Sequence, residues 1–298
     1  MWSNPAPWRV SKMSTRSSGE KNRDTIKHYY DVMYDRSVPN RYLEDQEEAD
    51  RAAELKRKTL SWLEKLSSAT DVSVRTVLEL GCGNGSLREV HHRWIGLELS
   101  FRACKNAMER GADRLVTSDL QRLPFGDNSV DVVITWATLE HIARPDIAIQ
   151  EMVRVIRPGG ALILGPSWHC RSWTVKRLPF RMYGALAWRQ KIAKATIPVR
   201  ELLFWRVLSS LPFRLGRELK LAVGAEVAFR FQALEPELDT SVPHVSDDDA
   251  FASIDSHMGI CYFVSHGWRC ISHSDVFRRV LARHEEVVVI KPLARRVG

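Results

Sequence analysis

The stretch VLELGCGNGSL, Val77 to Leu87, decides the fold. Its first residues belong to an apolar, partly β-branched run that predicts a buried strand. The strand leads into a turn with glycines at positions 81, 83 and 85, which permit positive φ angles and let the backbone approach a ligand closely. The GxGxG spacing differs from the GxGxxG of dinucleotide-binding proteins, and no GK[ST] of a phosphate-binding loop follows. The turn therefore predicts a ligand site of another kind.

Outward from this turn, short apolar runs alternate with amphipathic helical patterns. Further strands are predicted at residues 94–99, 114–117, 130–136, 161–164 and 285–290, and helical patterns at 25–65, 86–92, 101–110, 147–156 and 276–282. Strands that alternate with helices need crossover connections, which produce a mostly parallel sheet with helices on both faces. The predicted fold class is therefore α/β with a doubly wound sheet.

Three carboxylates lie at or just after the ends of predicted strands. Glu79 precedes the first glycine, Glu98 ends the second strand in IGLELS, and Asp119 follows the third in TSDLQRLPF. Each acid alone would fit a solvated residue or a helix cap. Together they converge on the edge where open α/β sheets bind ligands. We interpret Glu79 as an acceptor for an ammonium group or water, Glu98 as a bidentate acceptor for ribose hydroxyls, and Asp119 as an acceptor for an adenine amino group.

Four segments, taken in order, resemble the class I S-adenosylmethionine-dependent methyltransferases, in particular the quinone and small-molecule group. They are VLELGCGNG, IGLELS, TSDLQRLPFGDNSVDVVITWATLEHI and EMVRVIRPGGALIL. The resemblance covers about residues 74–166. It implies a Rossmann-like, seven-stranded, mostly parallel sheet with an antiparallel last strand, a helical cap insertion, and S-adenosyl-L-methionine as the cofactor. The cofactor-binding residues that it implies are Glu79, Gly81, Cys82, Gly83, Asn84, Gly85, Glu98, Leu99, Asp119, Leu120, Thr135 and Trp136.

The loop TWATLEHI after the fourth predicted strand should face the transferring methyl group. It contains His141, the best-placed catalytic candidate, as a general base for an acceptor that carries a proton near neutral pH. This histidine is common in the resembling family whatever the acceptor is, so a structural role stays open. Trp136 either stacks on the cofactor or fills the sheet edge. In similar enzymes an N-terminal helix closes over the cofactor, and here it would carry Tyr29, Tyr30 and Tyr34.

The charge of the chain is concentrated in one segment. The 298 residues have a formal net charge of +8, and residues 171–230 hold 13 Lys or Arg against 3 Asp or Glu. This segment falls where the resembling enzymes carry an acceptor-binding cap. Three interpretations stay open: a helical lid whose apolar stripe covers the sheet, a membrane-surface or lipid-linked substrate site, and an RNA-binding cap, for which no recognisable RNA module is present. A phosphorylated or otherwise acidic small acceptor would also explain the excess of positive charge.

These observations divide the chain into a polar, mobile leader at 1–24, a methyltransferase core at 25–166, a basic helical cap at 167–250 and a C-terminal completion of the sheet at 251–298. No apolar run long enough to span a bilayer and no secretory signal are evident, so we expect a cytoplasmic protein, with peripheral membrane contact through 171–230 as an option. Five scattered cysteines indicate reduced thiols, and the His and Cys spacings fit no familiar zinc pattern, so no metal is assigned.

The predicted function is methyl transfer from S-adenosylmethionine to a small-molecule or lipid-linked metabolite, with oxygen as the favoured acceptor atom. The alternatives are C-methylation of a quinone-like ring, methylation of RNA, and a catalytically silent cofactor-binding protein. The intact glycine turn and the following acids argue against the silent protein, and the lack of an NPPY or DPPF motif argues against N-methylation of nucleic-acid bases. The sequence identifies neither the acceptor nor the oligomeric state.

Overall fold

A seven-stranded sheet runs through the computed structural model, which describes residues 16–35, 37, 46–69, 74–240 and 247–293. Its strands are β1 (Val77–Leu80), β2 (Trp94–Glu98), β3 (Leu115–Thr117), β4 (Val130–Trp136), β5 (Ile156–Gly165), β8 (Arg269–Cys270) and β9 (Val287–Ile290). Their order is β3-β2-β1-β4-β5-β9-β8. The first five are parallel to one another, and β9 pairs antiparallel with both β5 and β8. The predicted α/β class with an antiparallel last strand is confirmed.

Helices cover both faces of this sheet and form the segment between β5 and β8. They are α1 (Arg16–Met33), α2 (Gln46–Ala69), α3 (Phe101–Glu109), α4 (Pro145–Val155), α5 (Ser172–Val175), α6 (Trp188–Glu201), α7 (Leu203–Ala222), α8 (Ser256–Ser265) and α9 (Val276–Leu281), with 3-10 turns at Leu139–His141 and Tyr183–Ala185. A short ribbon pairs β6 (Gln232–Ala233) with β7 (Ala252–Ser253).

The sheet separates two apolar cores because neighbouring residues of a strand point to opposite faces. Leu78 and Val133 belong to one core, while Val77 and Ile134 belong to the other, and all four side chains are fully buried. Each such side chain contributes about 1.5–3 kcal/mol of transfer free energy. The central strands are thereby held rigidly, and their carboxyl ends provide a fixed platform for the site.

Three local predictions need correction. The predicted helix at 86–92 is absent, and the backbone there forms turns, because the short link between β1 and β2 buries Leu87 and Val90 directly in the core. Helix α1 begins at Arg16, so residues 16–24 of the predicted leader are helical, while residues 1–15 lie outside the described part of the chain. The β6–β7 ribbon joins residues on both sides of the predicted boundary at 250/251, so the cap and the C-terminal part are interleaved.

Candidate functional site

The glycine turn after β1 has the backbone conformation that its sequence predicts. Gly81 has a φ of +71°, and its N–H donates to the carbonyl of Leu97 at 2.8 Å, which ties the turn to β2. A Cβ atom at Gly81 would lie 2.3 Å from Oγ1 of Thr138. Gly83 also has a positive φ, and a Cβ there would lie 2.9 Å from the Tyr34 hydroxyl. The turn is therefore a cradle that side chains would obstruct.

The carboxylate of Glu98 closes this turn. It accepts hydrogen bonds from the backbone N–H groups of Gly83 at 3.0 Å, Leu99 at 2.8 Å and Ser100 at 3.1 Å. Burial raises the pKa of Glu98, and these three bonds oppose the rise. A carboxylate offers about four lone-pair positions, so further acceptor capacity remains for a ligand. The three N–H groups hold the carboxylate in one orientation at the cavity wall.

Helix α1 lies across the opening of the site and contacts its acids. The Arg23 guanidinium is 3.2 Å from the carboxylate of Asp119, which also accepts a hydrogen bond from the backbone N–H of Gln121 at 2.9 Å. On α1, Asp31 accepts a hydrogen bond from Ser100 Oγ at 2.7 Å, next to Glu98. The helix is thus anchored to the loops that follow β2 and β3, and it covers the region between them.

These elements enclose a cavity of about 230 Å³. The predicted site residues that line it are Gly81, Glu98, Leu99, Asp119, Leu120 and His141. The remaining lining residues are Arg23, Ile26, Tyr30, Tyr34, Gln121, Ala137, Thr138, Ile142, Ala143 and Arg144. Arg23, Ile26 and Tyr30 of α1 recur at i, i+3 and i+7, which is the spacing of one helical face, and Tyr34 follows just after the end of the helix. Tyr30 and Tyr34 were expected over the cofactor, and the same spacing could have identified Arg23 and Ile26 from sequence.

Other predicted cofactor-binding residues do not line this cavity: Glu79, Cys82, Gly83, Asn84, Gly85, Thr135 and Trp136. The Glu79 carboxylate accepts a hydrogen bond from the Trp94 indole at 2.8 Å and is buried. The Trp136 indole donates to Thr59 Oγ1 at 3.1 Å, which places its ring between the sheet and α2. For Trp136 the structure favours packing over stacking on a cofactor, because its polar atom is used on the α2 side.

Because of Glu79, we expect the free energy of unfolding to depend measurably on pH. Burial raises its pKa to about 8, whereas a glutamate in an unfolded chain titrates near about 4.3. Between these values the folded protein binds a proton that the unfolded chain lacks, so stability falls as pH rises through this window. We expect Glu79→Gln to gain stability relative to wild type between pH 5 and pH 8, as measured by urea unfolding. The control is Glu64→Gln at an exposed position. If the free energies of unfolding of wild type and Glu79→Gln differed by the same amount at both pH values, the assignment would be refuted.

His141 lies against acidic side chains from a distant part of the chain. Its Nδ1 is 3.3 Å from Oδ1 of Asp249, and Oδ2 of Asp249 accepts a hydrogen bond from the Tyr30 hydroxyl at 2.9 Å. The buried carboxylate of Glu140 is also near, at 3.9 Å from Nε2. Burial acts to lower the pKa of His141, but Asp249, followed by Glu140 and Asp247, outweighs it and raises the pKa to about 10. The raised pKa favours the protonated imidazolium of His141, which argues against its predicted role as a base in this state.

Removing the charge of Asp249 tests this pair. We expect Asp249→Asn to lower the pKa of His141 by more than about one unit, because burial then acts with less opposition. The interaction between His141 and Asp249 makes its full contribution to the free energy of unfolding below about pH 6.5, and this contribution is lost as pH rises towards 10. NMR titration of ring-labelled histidines, assigned with a His141→Gln variant, measures the shift. Asp248→Asn is the matched control, since Asp248 pairs with Arg177 at 2.6 Å; equal His141 titration in both variants would contradict the account.

A second group of ligand-type side chains lies outside the cavity. Within the described ranges, atoms of Glu218, His257 and Cys261 that could hold a metal lie within 4.8 Å of one another. Both oxygens of Glu218 already accept hydrogen bonds from Arg279, at 2.9 and 2.6 Å, and Arg217 contacts His257 at 2.9 Å. Burial lowers the pKa of His257 to about 4 and raises that of Cys261 to about 12. The neighbouring arginines supply the positive charge that a metal would bring, so we interpret the group as a packing contact.

The cavity fits an adenosyl sulfonium. Gly81 gives backbone access, the oriented Glu98 carboxylate retains acceptor capacity for a ribose hydroxyl, and Asp119 provides an acceptor farther along the same wall. The acids also suit the positive charge of such a ligand. The residues present therefore agree with the cofactor that the sequence implies.

The chain is similar in sequence to known methyltransferases. A family described as "Methyltransferase domain" matches residues 78–164. A tRNA (carboxymethyluridine(34)-5-O)-methyltransferase from Arabidopsis thaliana is 30% identical over 161 residues, which cover 52% of this chain and 37% of that protein. A fatty-acid O-methyltransferase from Mycolicibacterium smegmatis is 30% identical over 116 residues, which cover 36% of this chain and 42% of that protein. The chain thus spans less than half the length of both relatives.

Among solved structures, a SAM-bound amino pentose methyltransferase from Micromonospora echinaspora is similar at 24% identity and a TM-score of 0.38. The match covers 44% of this chain and 59% of that one.

Proposed function

We propose, from the premise that residues 78–164 form a class I S-adenosylmethionine-dependent methyltransferase domain, that this chain methylates an oxygen atom of a small-molecule or lipid-linked acceptor. The observation that carries the proposal is the position of His141, which lines the same cavity as Glu98 and Asp119 and is paired there with Asp249. The names of two relatives support oxygen as the acceptor atom, since one is an O-methyltransferase of fatty acids and the other a 5-O-methyltransferase of a carboxymethyluridine.

The cofactor supplies an electrophilic methyl group on a sulfonium. The protein has to hold the acceptor atom at about 3 Å and in line with the bond that breaks. In our proposal Glu98 binds the ribose hydroxyls and Asp119 the adenine amino group, while α1 excludes water from the cavity. These contacts orient the cofactor, and Thr138 and His141 lie on the wall that follows β4, beside the glycine cradle.

The protonation state of His141 limits the chemical groups that could serve as the methyl acceptor. An imidazolium donates hydrogen bonds and does not remove a proton, so it suits an oxygen that is already ionised at neutral pH. A carboxylate is such a nucleophile, whereas an alcohol would first require His141 to lose its own proton. We therefore propose a carboxylate as the acceptor group, and the product as a methyl ester.

The test is transfer from cofactor labelled in its methyl group to extracts separated into lipid, small-molecule and RNA pools. We expect label in the lipid or small-molecule pool, released as methanol by mild alkali, because alkali hydrolyses methyl esters and leaves methyl ethers and C-methyl groups intact. His141→Gln should lower the rate at saturating cofactor without changing cofactor affinity by more than about twofold. Alkali-stable product would overturn the carboxylate assignment, and label confined to RNA would overturn the acceptor class.

A further inference from the structure

Helix α7 (Leu203–Ala222) is oriented with its charged side inward. Arg214, which is 1% exposed, donates to the carbonyls of Val280 and Ala282 and, at 2.6 Å, to Asp255. One turn later, Glu218 is buried and paired with Arg279 at 2.6 Å. A helix on a protein surface normally buries its apolar face and exposes its charges. These buried pairs fix the rotation of α7, because turning the helix would leave their charges uncompensated.

The exposed side of α7 is apolar. Phe204, Leu208, Leu215 and Leu219 recur at i, i+4, i+11 and i+15, and each is at least half exposed. The neighbouring helix α6 adds a second exposed row at the same kind of spacing, formed by Trp188, Ile192 and Val199. We call these seven residues the α6–α7 face. Exposed apolar side chains in rows on two neighbouring helices indicate a binding surface.

The charges around this face indicate what covers it. Exposed basic residues on the two helices include Arg189, Lys191, Arg200 and Lys220. Residues 171–230 contain 13 basic and 3 acidic residues, and one residue of each sign, Arg214 and Glu218, is buried. Two copies of so basic a surface would repel each other, whereas a negatively charged surface would attract it. Trp and Phe among basic residues are typical of helices that lie in the plane of a lipid interface.

We propose that the α6–α7 face binds the surface of a membrane that contains anionic lipids, with both helices parallel to the bilayer plane. No helix in the described residues is long and apolar enough to cross a bilayer. The apolar side chains enter the interface, and the flanking Lys and Arg contact lipid phosphates. This inference does not depend on the acceptor proposed above, although it would bring a lipid-linked acceptor to the enzyme.

The first test is co-sedimentation of the full chain with vesicles of phosphatidylcholine that contain one third phosphatidylglycerol. We expect binding that weakens with added salt and is much weaker on pure phosphatidylcholine. The double variant Leu215→Glu, Leu219→Glu should bind at least about tenfold more weakly, because two side chains no longer enter the interface. Its thermal unfolding midpoint should match wild type, since both positions are exposed.

The matched control is Met108→Glu, which places a charge at an exposed apolar position of α3, away from the face. It should bind vesicles like wild type. Equal binding of the double variant and wild type, or no binding of wild type to anionic vesicles, would overturn the proposal. The face would instead belong to a second copy of the chain if the wild type formed a stable dimer and did not bind vesicles, and if Leu215→Glu, Leu219→Glu separated that dimer into monomers. Cofactor affinity measured on the same samples separates failure of this proposal from failure of the proposed function.

Discussion

Replacing Glu98 with alanine is expected to weaken binding of S-adenosylmethionine by about 100-fold. The Glu98 carboxylate is oriented by three backbone N–H groups and lines the cavity, where we assign it to the two ribose hydroxyls. A hydrogen bond to a charged group contributes about 1.5–3 kcal/mol, and a loss of about 2.8 kcal/mol corresponds to 100-fold in affinity. Isothermal titration calorimetry with the full chain measures the change directly.

Two further variants keep this result interpretable. Glu98→Gln retains one acceptor oxygen for the backbone N–H groups and should bind the cofactor with intermediate affinity, which separates loss of the ligand contact from collapse of the turn. Glu79→Gln should bind within about twofold of wild type, because Glu79 contacts Trp94 and does not line the cavity. Wild-type affinity in Glu98→Ala would contradict the assignment of the ribose site.

The second large effect is expected at Gly81. Gly81→Ala should destabilise the fold by about 2 kcal/mol or more, because the residue has a φ of +71° and the new Cβ would lie 2.3 Å from Thr138 Oγ1. Thr138 lines the cavity, so its displacement should also lower cofactor affinity. Urea unfolding gives the stability change, and calorimetry on the folded variant gives the affinity.

Gly126→Ala is the matched control for this substitution. Its Cβ would meet no atom within 4 Å, and Gly126 is not among the glycines with positive φ. We expect its stability to stay within about 0.5 kcal/mol of wild type. If Gly81→Ala were as stable as Gly126→Ala, the close approach at the end of β1 would not exist.

The sequence predicted those parts of the site that depend on a single strand and the turn after it. The glycines after β1 and the acid that ends β2 lie where the strand-and-turn pattern places them, because parallel strands align their carboxyl ends. Glu79 shows where this reasoning ends. It lies one residue before the last residue of β1, and only the register that brings Gly96 beside it lets the Trp94 ring cross the small glycine and reach its carboxylate.

Long-range pairs could not be predicted from one sequence. No local pattern in the sequence shows that the carboxylate of Asp249 pairs with His141 and the Tyr30 hydroxyl. For the same reason the sequence favoured His141 as a base, since its protonation depends on acids whose positions come from the tertiary fold. Helix α1 carried a usable signal in its periodic face, but its docking against Ser100 depends on the fold as well.

Helix α7 illustrates a conflict between periodicity and tertiary structure. One open interpretation was a lid whose apolar stripe covers the sheet. In the structure Leu202 separates α6 from α7, and the apolar side of α7 is exposed. The amphipathic pattern identified a helix correctly but gave no information on which side is buried. Asp255 and Arg279, which lie far along the chain, decide that by pairing with Arg214 and Glu218.

The most direct test of the account is a crystal structure of the full chain with S-adenosylhomocysteine, the demethylated form of the cofactor. We predict both ribose hydroxyls within hydrogen-bonding distance of the Glu98 carboxylate, the adenine amino group near Asp119, and the sulfur near the wall formed by Gly81, Thr138 and His141. The central claim would be contradicted if the ligand bound elsewhere. It would also be contradicted if the Glu98 carboxylate contacted only the backbone N–H groups of the protein while the nucleoside occupied another surface.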